Sequence, residues 1–298
     1  MGSLFGGRLA QAGAEVVLYD VFAEHVLAVR AKGLVIEDAA SGAVTVCRPH
    51  ASTDVADCRE ADVLVIFVKS TATEDAARAF RDVAGPATIA LTLQNGLGNE
   101  AILRKHFGVE RTAAGVTSQG ATFLEPGKIR HAGKGPTHLG MADGRTEKLV
   151  PLAALLEAAG FQTHVEADVS SLIWSKLVIN VGINALTAFV NQPNGRLLDT
   201  EETRALMAEL VAEAVAVAKA RGVRLTYADP LQTVMDVAKR TGANRSSMLQ
   251  DFDRGRESEI DFINGAIVRE AALLGVSVPV NATVTRLIRA IERLRKRA

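Results

Sequence analysis

The stretch DVLVIFVK, residues 62–69, reads as a buried β-strand that ends in a lysine. A run of nearly all apolar residues is typical of a parallel strand that is covered on both faces. Similar short runs occur at residues 15–19 and 88–93, and segments with helical periodicity separate them. This alternation predicts βαβ units and a parallel sheet in the first part of the chain.

The pattern changes twice further along the chain. Six glycines between residues 115 and 140 separate short runs, which predicts antiparallel hairpins that complete the first domain. From Asp168 onward the periodicity is almost wholly helical. The sequence therefore predicts an α/β domain over residues 1–167 and an all-α domain over residues 168–298.

Composition favours a globular protein that binds a small molecule. The chain has 298 residues, 48% of them hydrophobic, and its 34 lysines and arginines balance 34 acidic residues. This balance gives no strong field to attract nucleic acid or an anionic membrane. Cys47 and Cys58 lack metal-site spacing, no basic stretch followed by an apolar core opens this sequence, and no uninterrupted apolar run reaches about 18 residues. We therefore expect a cytoplasmic protein without a membrane partner. The sequence leaves open whether the protein forms a homodimer.

The first twenty residues fit the interior of a dinucleotide-binding motif. Such a Rossmann fold opens with a strand and a Gly-x-Gly-x-x-Gly turn before the first helix, and an acidic residue ends the second strand. Gly2 opens a predicted helix where the third glycine is expected, and Asp20 ends the strand that follows. We therefore expect about ten further residues upstream, carrying the opening strand and the first two glycines.

Asp20 also bears on the choice of cofactor. A carboxylate at this strand end accepts hydrogen bonds from the adenosine ribose of NAD(H) and repels the 2′-phosphate of NADP(H). Val21, the next residue, supplies no compensating cation. The local sequence thus favours NAD(H).

Polar residues follow two of the predicted strands. Lys69 comes directly after the strand at residues 62–68, and Gln94-Asn95-Gly96 follows the strand at residues 88–93. Ligands bind at the carboxyl ends of parallel strands in open α/β sheets, so both positions are candidates for a binding site. A solvated lysine and an ordinary Asn-Gly turn are the alternatives.

The most informative segment lies in the predicted helical domain. Lys176, Asn180 and Asn184 are spaced four residues apart, so they share one face of a helix, and Leu, Val and Ile surround them. Burying an ammonium and two amides is costly unless they find partners. A bound ligand would satisfy them, and a buried network between helices is the alternative. Burial would also shift the lysine toward its neutral form, which suits an acid that works near neutral pH.

Two later segments carry further candidates. Ser246 and Ser247 precede Met-Leu-Gln-Asp, where either serine could cap a helix. Glu259 precedes Ile-Asp-Phe-Ile-Asn-Gly and could belong to a charged helix face.

These segments in this order resemble the ketopantoate reductase family over nearly the whole chain. The motifs that carry the resemblance are Val68-Lys69, Gln94-Asn95-Gly96, the Lys176 stripe, Asn194-Gly195, Ser247-Met248-Leu249-Gln250-Asp251, Glu259-Ile260-Asp261 and Ile263-Asn264-Gly265.

The resemblance implies a Rossmann domain and a helical domain that together reduce 2-dehydropantoate, a 2-oxo acid, with NADPH and without a metal. Lys176 resembles the family's proton donor, and Glu259 resembles a second carboxylate of the catalytic site. The resemblance assigns substrate contacts to Asn180, Asn184, Asn194 and Ser247. It assigns cofactor contacts to Gly2, Lys69, Asn95 and Ala121.

Two other functions stay open. A D-2-hydroxyacid dehydrogenase of the same superfamily would use NAD, as Asp20 favours. A non-catalytic nucleotide-binding relative is the second alternative. Lys176, Asn184, Ser247 and Glu259 are all present, and this argues against loss of catalysis.

Overall fold

The structure is a computed structural model that describes residues 1–295. Unit 1 comprises Met1–Gln94 and Asn99–Val169, and unit 2 comprises Asn95–Gly98 and the chain from Ser170 onward. Unit 1 is α/β and unit 2 is helical, which confirms the predicted fold class. Residues 296–298, the end of the predicted helical domain, lie outside the described residues.

Unit 1 contains short helices and strands that alternate along the chain. Its helices are α1 (Gly2–Gln11), α2 (Ala23–Lys32), α3 (Thr73–Arg81), α4 (Asn99–Phe107) and α5 (Val150–Ala158). Its strands are β1 (Val17–Tyr19), β2 (Leu34–Asp38), β3 (Val44–Cys47), β4 (His50–Ser52), β5 (Val63–Ile66), β6 (Ile89–Thr92), β7 (Thr112–Thr117), β8 (Gly120–Glu125), β9 (Lys128–Gly133), β10 (Thr137–Met141) and β11 (Thr163–Val165).

The predicted buried strand is an edge strand of a five-stranded sheet with the order β11-β10-β7-β6-β5. Strands β5, β6 and β7 run parallel, and Val65 lies opposite Leu91 in the register. Strand β10 runs antiparallel to β7. Because parallel strands end at the same edge of a sheet, the segments after β5 and β6 leave the sheet on one side.

The remaining strands of unit 1 form two smaller sheets. Strands β1 and β4 pair in parallel with each other, and a four-stranded sheet has the order β3-β2-β9-β8. Strands β8 and β9 form an antiparallel hairpin, as the glycine pattern predicted. Strand β1 shares no ladder with β5 in the described chain, although Tyr19 and Leu64 belong to one hydrophobic cluster.

Helix α1 packs tightly in unit 1 because it carries small residues where the backbone comes close to its neighbours. A Cβ atom at Gly7 would lie 2.8 Å from Leu34 Cδ2 and 3.0 Å from Cys47 Sγ. Phe5 stacks on Phe161 with ring centroids 4.4 Å apart. Dense packing of this kind fixes the position of the helix against the sheets.

Unit 2 is built around one long central helix. Its helices are α6 (Val169–Val190), α7 (Glu201–Ala220), α8 (Pro230–Arg240), α9 (Ser247–Asp253), α10 (Asn264–Leu274) and α11 (Pro279–Arg295). A Cβ atom at Gly182 of α6 would lie 2.8 Å from Val234 Cγ1 and 2.9 Å from Val211 Cγ2. This glycine therefore lets α7 and α8 approach α6 closely.

Within residues 1–295, α6 alone is long and apolar enough to qualify as a membrane span. However, 67% of its apolar window is buried within the protein, and a core helix passes the same test.

A buried polar junction connects three helices of unit 2. Asn281, at the start of α11, donates through Nδ2 to Glu213 Oε2 of α7 at 2.8 Å. It also accepts a hydrogen bond from Nδ2 of Asn264 in α10 at 3.1 Å. The Glu213 carboxylate accepts the backbone N–H groups of Val280 and Asn281, each at 2.8 Å. The junction thus satisfies orphan donors at the start of α11.

Candidate active site

Helix α6 carries Lys176, Asn180 and Asn184 on one face, as the sequence predicted. Asn184 is 6% exposed, and Lys176 and Asn180 are half-buried. The apolar residues between them, including Leu177, Val178 and Val181, are buried in the core of unit 2. Because that core holds the other faces of α6, the polar stripe has a fixed orientation on the helix.

Two opposing effects set the acidity of Lys176. Burial disfavours the charged ammonium, and the Glu259 carboxylate favours it. The net result lowers the pKa of Lys176 to about 8 from the usual 10.5. Glu259 is itself 7% exposed and directly precedes the short turn Ile260–Phe262. An ammonium with this pKa is mostly protonated at neutral pH and can still release its proton readily.

The amides of Asn180 and Asn184 have unused hydrogen-bonding capacity. Neither side chain makes a hydrogen bond within the part of the chain that the structure describes. Each amide offers two donors and one acceptor oxygen. Groups that are largely buried and lack a protein partner are suited to binding a polar ligand.

The two serines before α9 have different environments. Ser246 is the N-cap: its Oγ accepts the backbone N–H of Leu249 at 3.1 Å. Ser247 is the first residue of α9 and is half-buried. The capping role that the sequence left open between them therefore belongs to Ser246, and the Ser247 hydroxyl makes no hydrogen bond among residues 1–295.

Asn194 lies in a loop contact that the sequence did not predict. Its Nδ2 donates to Thr241 Oγ1 at 2.8 Å, and its backbone N–H donates to the Asn244 carbonyl at 3.0 Å. Its Oδ1 is buried without a hydrogen-bond partner in residues 1–295. A Cβ atom at Gly195 would lie 2.8 Å from Gly242 Cα, so glycine permits the close backbone approach. Asn194 thus helps to hold the loop that leads into α9, and its oxygen is left for a further contact.

Asn95 lies in unit 2, although it follows strand β6 in the chain. The Leu97 N–H donates to the Phe262 carbonyl at 2.8 Å. Gly96 has φ +86°, and a Cβ atom there would collide with the same carbonyl. The sequence grouped Asn95 with the cofactor domain, and the structure instead packs its turn against residues that follow Glu259.

Lys69 is exposed in unit 1, between β5 and the turn Ser70–Ala72. A hydrogen-bond network that the sequence did not indicate holds the surrounding segment; it joins the half-buried Gln94 to buried Thr73, Asn99 and Ser70. Gln94 Nε2 donates to the Val68 carbonyl at 2.6 Å and to Thr73 Oγ1 at 2.9 Å. Thr73 Oγ1 donates to Asn99 Oδ1 at 2.8 Å, and Asn99 Nδ2 donates to Ser70 Oγ at 3.1 Å. This network therefore fixes the backbone on both sides of Lys69.

The other cofactor candidates of unit 1 lie on three different elements. Gly2 is the first residue of α1, whose first turn has no side-chain cap among residues 1–295. Asp20 is exposed after β1, and its Oδ1 accepts the Phe22 N–H at 2.9 Å. Ala121 is half-buried in β8, paired with His131 of β9. An uncapped helix start and an exposed carboxylate after the neighbouring strand fit the pyrophosphate and ribose of a dinucleotide.

In residues 1–295 no group of three or more His, Cys, Asp or Glu side chains is arranged to hold a metal ion. Cys47 and Cys58 are free and buried.

Comparison with known proteins covers both units. Residues 1–144 match the family described as ketopantoate reductase PanE/ApbA, and residues 168–292 match its C-terminal domain. The 2-dehydropantoate 2-reductase of Halobacterium salinarum is 37% identical over 98% of this chain and 96% of its own length.

Solved structures give the same result. A PanE/ApbA family ketopantoate reductase from Ralstonia eutropha is 35% identical, with TM-score 0.91 over 99% of this chain and 96% of that one. A ternary structure of D-mandelate dehydrogenase with NADH and anilino(oxo)acetate is 27% identical, with TM-score 0.90 over the same shares of the two chains. By sequence and by fold, this chain belongs to the ketopantoate reductase family.

Proposed function

We propose that this protein is an NAD(P)H-dependent 2-dehydropantoate 2-reductase in which Lys176 is the proton donor. The observation that supports this most directly is the α6 stripe. Its ammonium has a pKa of about 8, and two amides next to it have no protein partner in residues 1–295. An oxidoreductase that reduces a ketone needs such an acid beside groups that bind a polar substrate.

The nicotinamide, when bound, supplies the hydride that reduces the ketone carbon. Lys176 stabilises the negative charge that develops on the ketone oxygen and gives that oxygen a proton. Glu259 keeps enough of the Lys176 population protonated despite its burial. Asn180, Asn184, Asn194 Oδ1 and Ser247 are the groups of unit 2 that we assign to binding the 2-oxo acid. The product of this reaction is (R)-pantoate.

On the cofactor side, we assign the ribose contact to Asp20 and the pyrophosphate contact to the α1 turn at Gly2. Lys69, Asn95 and Ala121 are further cofactor contacts by family resemblance. Asp20 is exposed and Val21, beside it, is 83% exposed and uncharged, so nothing at these two positions would attract a 2′-phosphate. We therefore propose that the protein uses NADH in preference to NADPH, or uses both.

A D-2-hydroxyacid dehydrogenase is the second candidate. Asp20 favours it, and the similar D-mandelate dehydrogenase was solved with NADH. The two functions differ in their substrate, so initial rates with 2-dehydropantoate and with an aryl 2-oxo acid at equal NADH distinguish them.

Substitution of Lys176 tests the mechanism that both candidates share. Lys176→Ala should lower kcat by about 10²- to 10⁴-fold, the usual contribution of a general acid. It should leave the dissociation constant for the reduced cofactor unchanged, as measured by fluorescence titration. Lys219→Ala, at an exposed position of α7, is the matched control and should be neutral. Near-normal turnover of Lys176→Ala would show that the proton donor lies elsewhere.

A further inference from the structure

A buried pair of hydroxyl groups connects α6 to the start of α9. Thr187 lies three residues after Asn184 and is fully buried, and Ser246, the N-cap of α9, is 7% exposed. Their hydroxyl oxygens are 2.7 Å apart. Each of the two residues is close in sequence to one proposed substrate group. Asn184 precedes Thr187 by three residues on α6, and Ser247 directly follows Ser246 at the start of α9.

The hydrogen bonds around this pair define its proton directions. Thr187 donates its single hydroxyl proton to the Asn184 carbonyl at 2.9 Å. Its remaining contact with Ser246 is therefore one in which the Ser246 hydroxyl donates and the Thr187 oxygen accepts. Ser246 Oγ in turn accepts the Leu249 N–H at 3.1 Å. The result is a directed relay in which Leu249 N–H donates to Ser246, Ser246 donates to Thr187, and Thr187 donates to the Asn184 carbonyl.

We propose that Thr187 is a positioning residue for the substrate. Through Ser246 it fixes the distance between the Asn184 amide on α6 and the Ser247 hydroxyl on α9, and so determines which 2-oxo acid fits between them. The inference rests on the proposed function, because it takes Asn184 and Ser247 as substrate groups.

Other bonds also hold the loop before α9. Asn194 Nδ2 donates to Thr241 Oγ1 at 2.8 Å at the beginning of the loop, five residues before Ser246. Nearer to Ser246, the bonds of Arg245 lie at the surface. Arg245 bonds the Asp253 carboxylate at 2.7 Å through Nε, and its Nη2 donates to Asn191 Oδ1 at 2.9 Å. Both side chains of the Arg245–Asp253 pair are 39% exposed. This pair is bidentate, since Arg245 Nη2 also donates to Asp253 Oδ1, so it orients the loop at the surface. The Thr187–Ser246 contact is the buried side-chain bond that joins α6 to the N-cap of α9.

Thr187→Val is the variant that tests this role. Valine keeps the shape of threonine and removes the hydroxyl, which leaves the Ser246 donor buried without its acceptor. We expect KM for 2-dehydropantoate and the dissociation constant for pantoate, measured calorimetrically, to rise about tenfold. We expect kcat to change less and cofactor affinity to stay at the wild-type value. Thr187→Ser restores the hydroxyl and should bring KM back toward wild type.

Thr285→Val is a matched control. Thr285 is also buried in a helix of unit 2, and its hydroxyl also donates to a carbonyl of its own helix, that of Asn281 at 2.7 Å. It differs from Thr187 in making no bond to α9 within residues 1–295. Its substitution should lower stability comparably and leave KM unchanged.

Hydrogen exchange measures the relay without catalysis. The Leu249 amide should exchange faster in Thr187→Val than in wild type or Thr285→Val, because its acceptor Ser246 is no longer held. The proposal is wrong if Thr187→Val keeps both wild-type KM and wild-type Leu249 exchange, or if Thr285→Val raises KM equally. A wild-type protein that neither reduces 2-dehydropantoate nor binds pantoate would instead refute the proposed function, while the exchange result would still decide whether the relay holds α9.

Discussion

Replacing Glu259 by glutamine should make Lys176 a stronger acid and move the pH range of activity. Burial lowers the pKa of Lys176 and Glu259 raises it, with about 8 as the net value. Glutamine is close to glutamate in size but uncharged, so Glu259→Gln removes only the opposing effect. The pKa of Lys176 must then fall below about 8.

The direction of the effect on rate follows from the role that we propose for Lys176. A proton donor works only in its protonated form, so kcat/KM should be constant at low pH and decline above the pKa of Lys176. In the wild type this decline is expected near pH 8. Loss of a nearby opposite charge should move it down by about one pH unit. At pH 8, roughly a tenth of Lys176 would then be protonated, compared with about half in the wild type, which corresponds to about a fivefold loss of kcat/KM.

The assay is a set of initial rates of NADH oxidation between about pH 6 and pH 10, with kcat/KM fitted at each pH. Glu202→Gln is the matched control, because it makes the same chemical change at an exposed position of α7. Its profile should overlay the wild-type profile. A Glu259→Gln profile that stays in place or moves to higher pH would refute the electrostatic argument, and an unchanged decline in Lys176→Ala would show that another group titrates.

Three further substitutions test other parts of the structure. Asp20→Ala should raise kcat/KM for NADPH relative to NADH, because the carboxylate that repels a 2′-phosphate is removed; an unchanged ratio would mean that Asp20 does not contact the ribose. Asn281→Ala should lower the free energy of unfolding of unit 2 by about 2–3 kcal/mol in urea, because it removes three side-chain hydrogen bonds, to Glu213, Asn264 and the Leu210 carbonyl, from a buried position; a loss below half of that would show that water replaces the amide. Gly96→Ala should destabilise the Asn95 turn by more than about 1 kcal/mol, because φ is +86° and the new Cβ would collide with the Phe262 carbonyl; a neutral result would show that the turn adapts.

The parts of the fold that the sequence predicted are those determined by local pattern. The apolar run at residues 62–68 became strand β5, and the helical periodicity that begins at Asp168 became α6 and the helices after it, with α6 starting at Val169. Each pattern reflects burial along a single element, so neighbouring residues suffice to reveal it. The three predicted strands were longer than the observed β1, β5 and β6. The apolar residues of each run continue beyond the residues that pair with the neighbouring strand.

Long-range contacts explain what the sequence did not reveal. Asn95 directly follows Gln94, yet Gln94 bonds Val68 in unit 1 while the turn at Gly96 packs on Phe262 in unit 2. No local pattern shows that the two units divide the chain between these adjacent residues. The relay was missed for a similar reason, because a threonine near the end of an apolar helix is unremarkable until Ser246 is seen to contact it.

The polar residues of unit 2 can be separated by where their hydrogen bonds go. Asn264 and Asn281 both belong to the junction with Glu213, so the Asn264 that the sequence placed among the family motifs is an architectural residue in this structure. Asn180 and Asn184 look similar in sequence, but their side chains make no hydrogen bond within residues 1–295. Among residues 1–295, no side-chain atom of Asn180 or Asn184 is fully buried without a partner, so water or a ligand can reach both amides, whereas Asn264 Oδ1 is enclosed within unit 2. The hydrogen-bond partners of each polar side chain, rather than the number of polar residues on an apolar helix, therefore distinguish the residues that we propose bind substrate from those that hold the helices together.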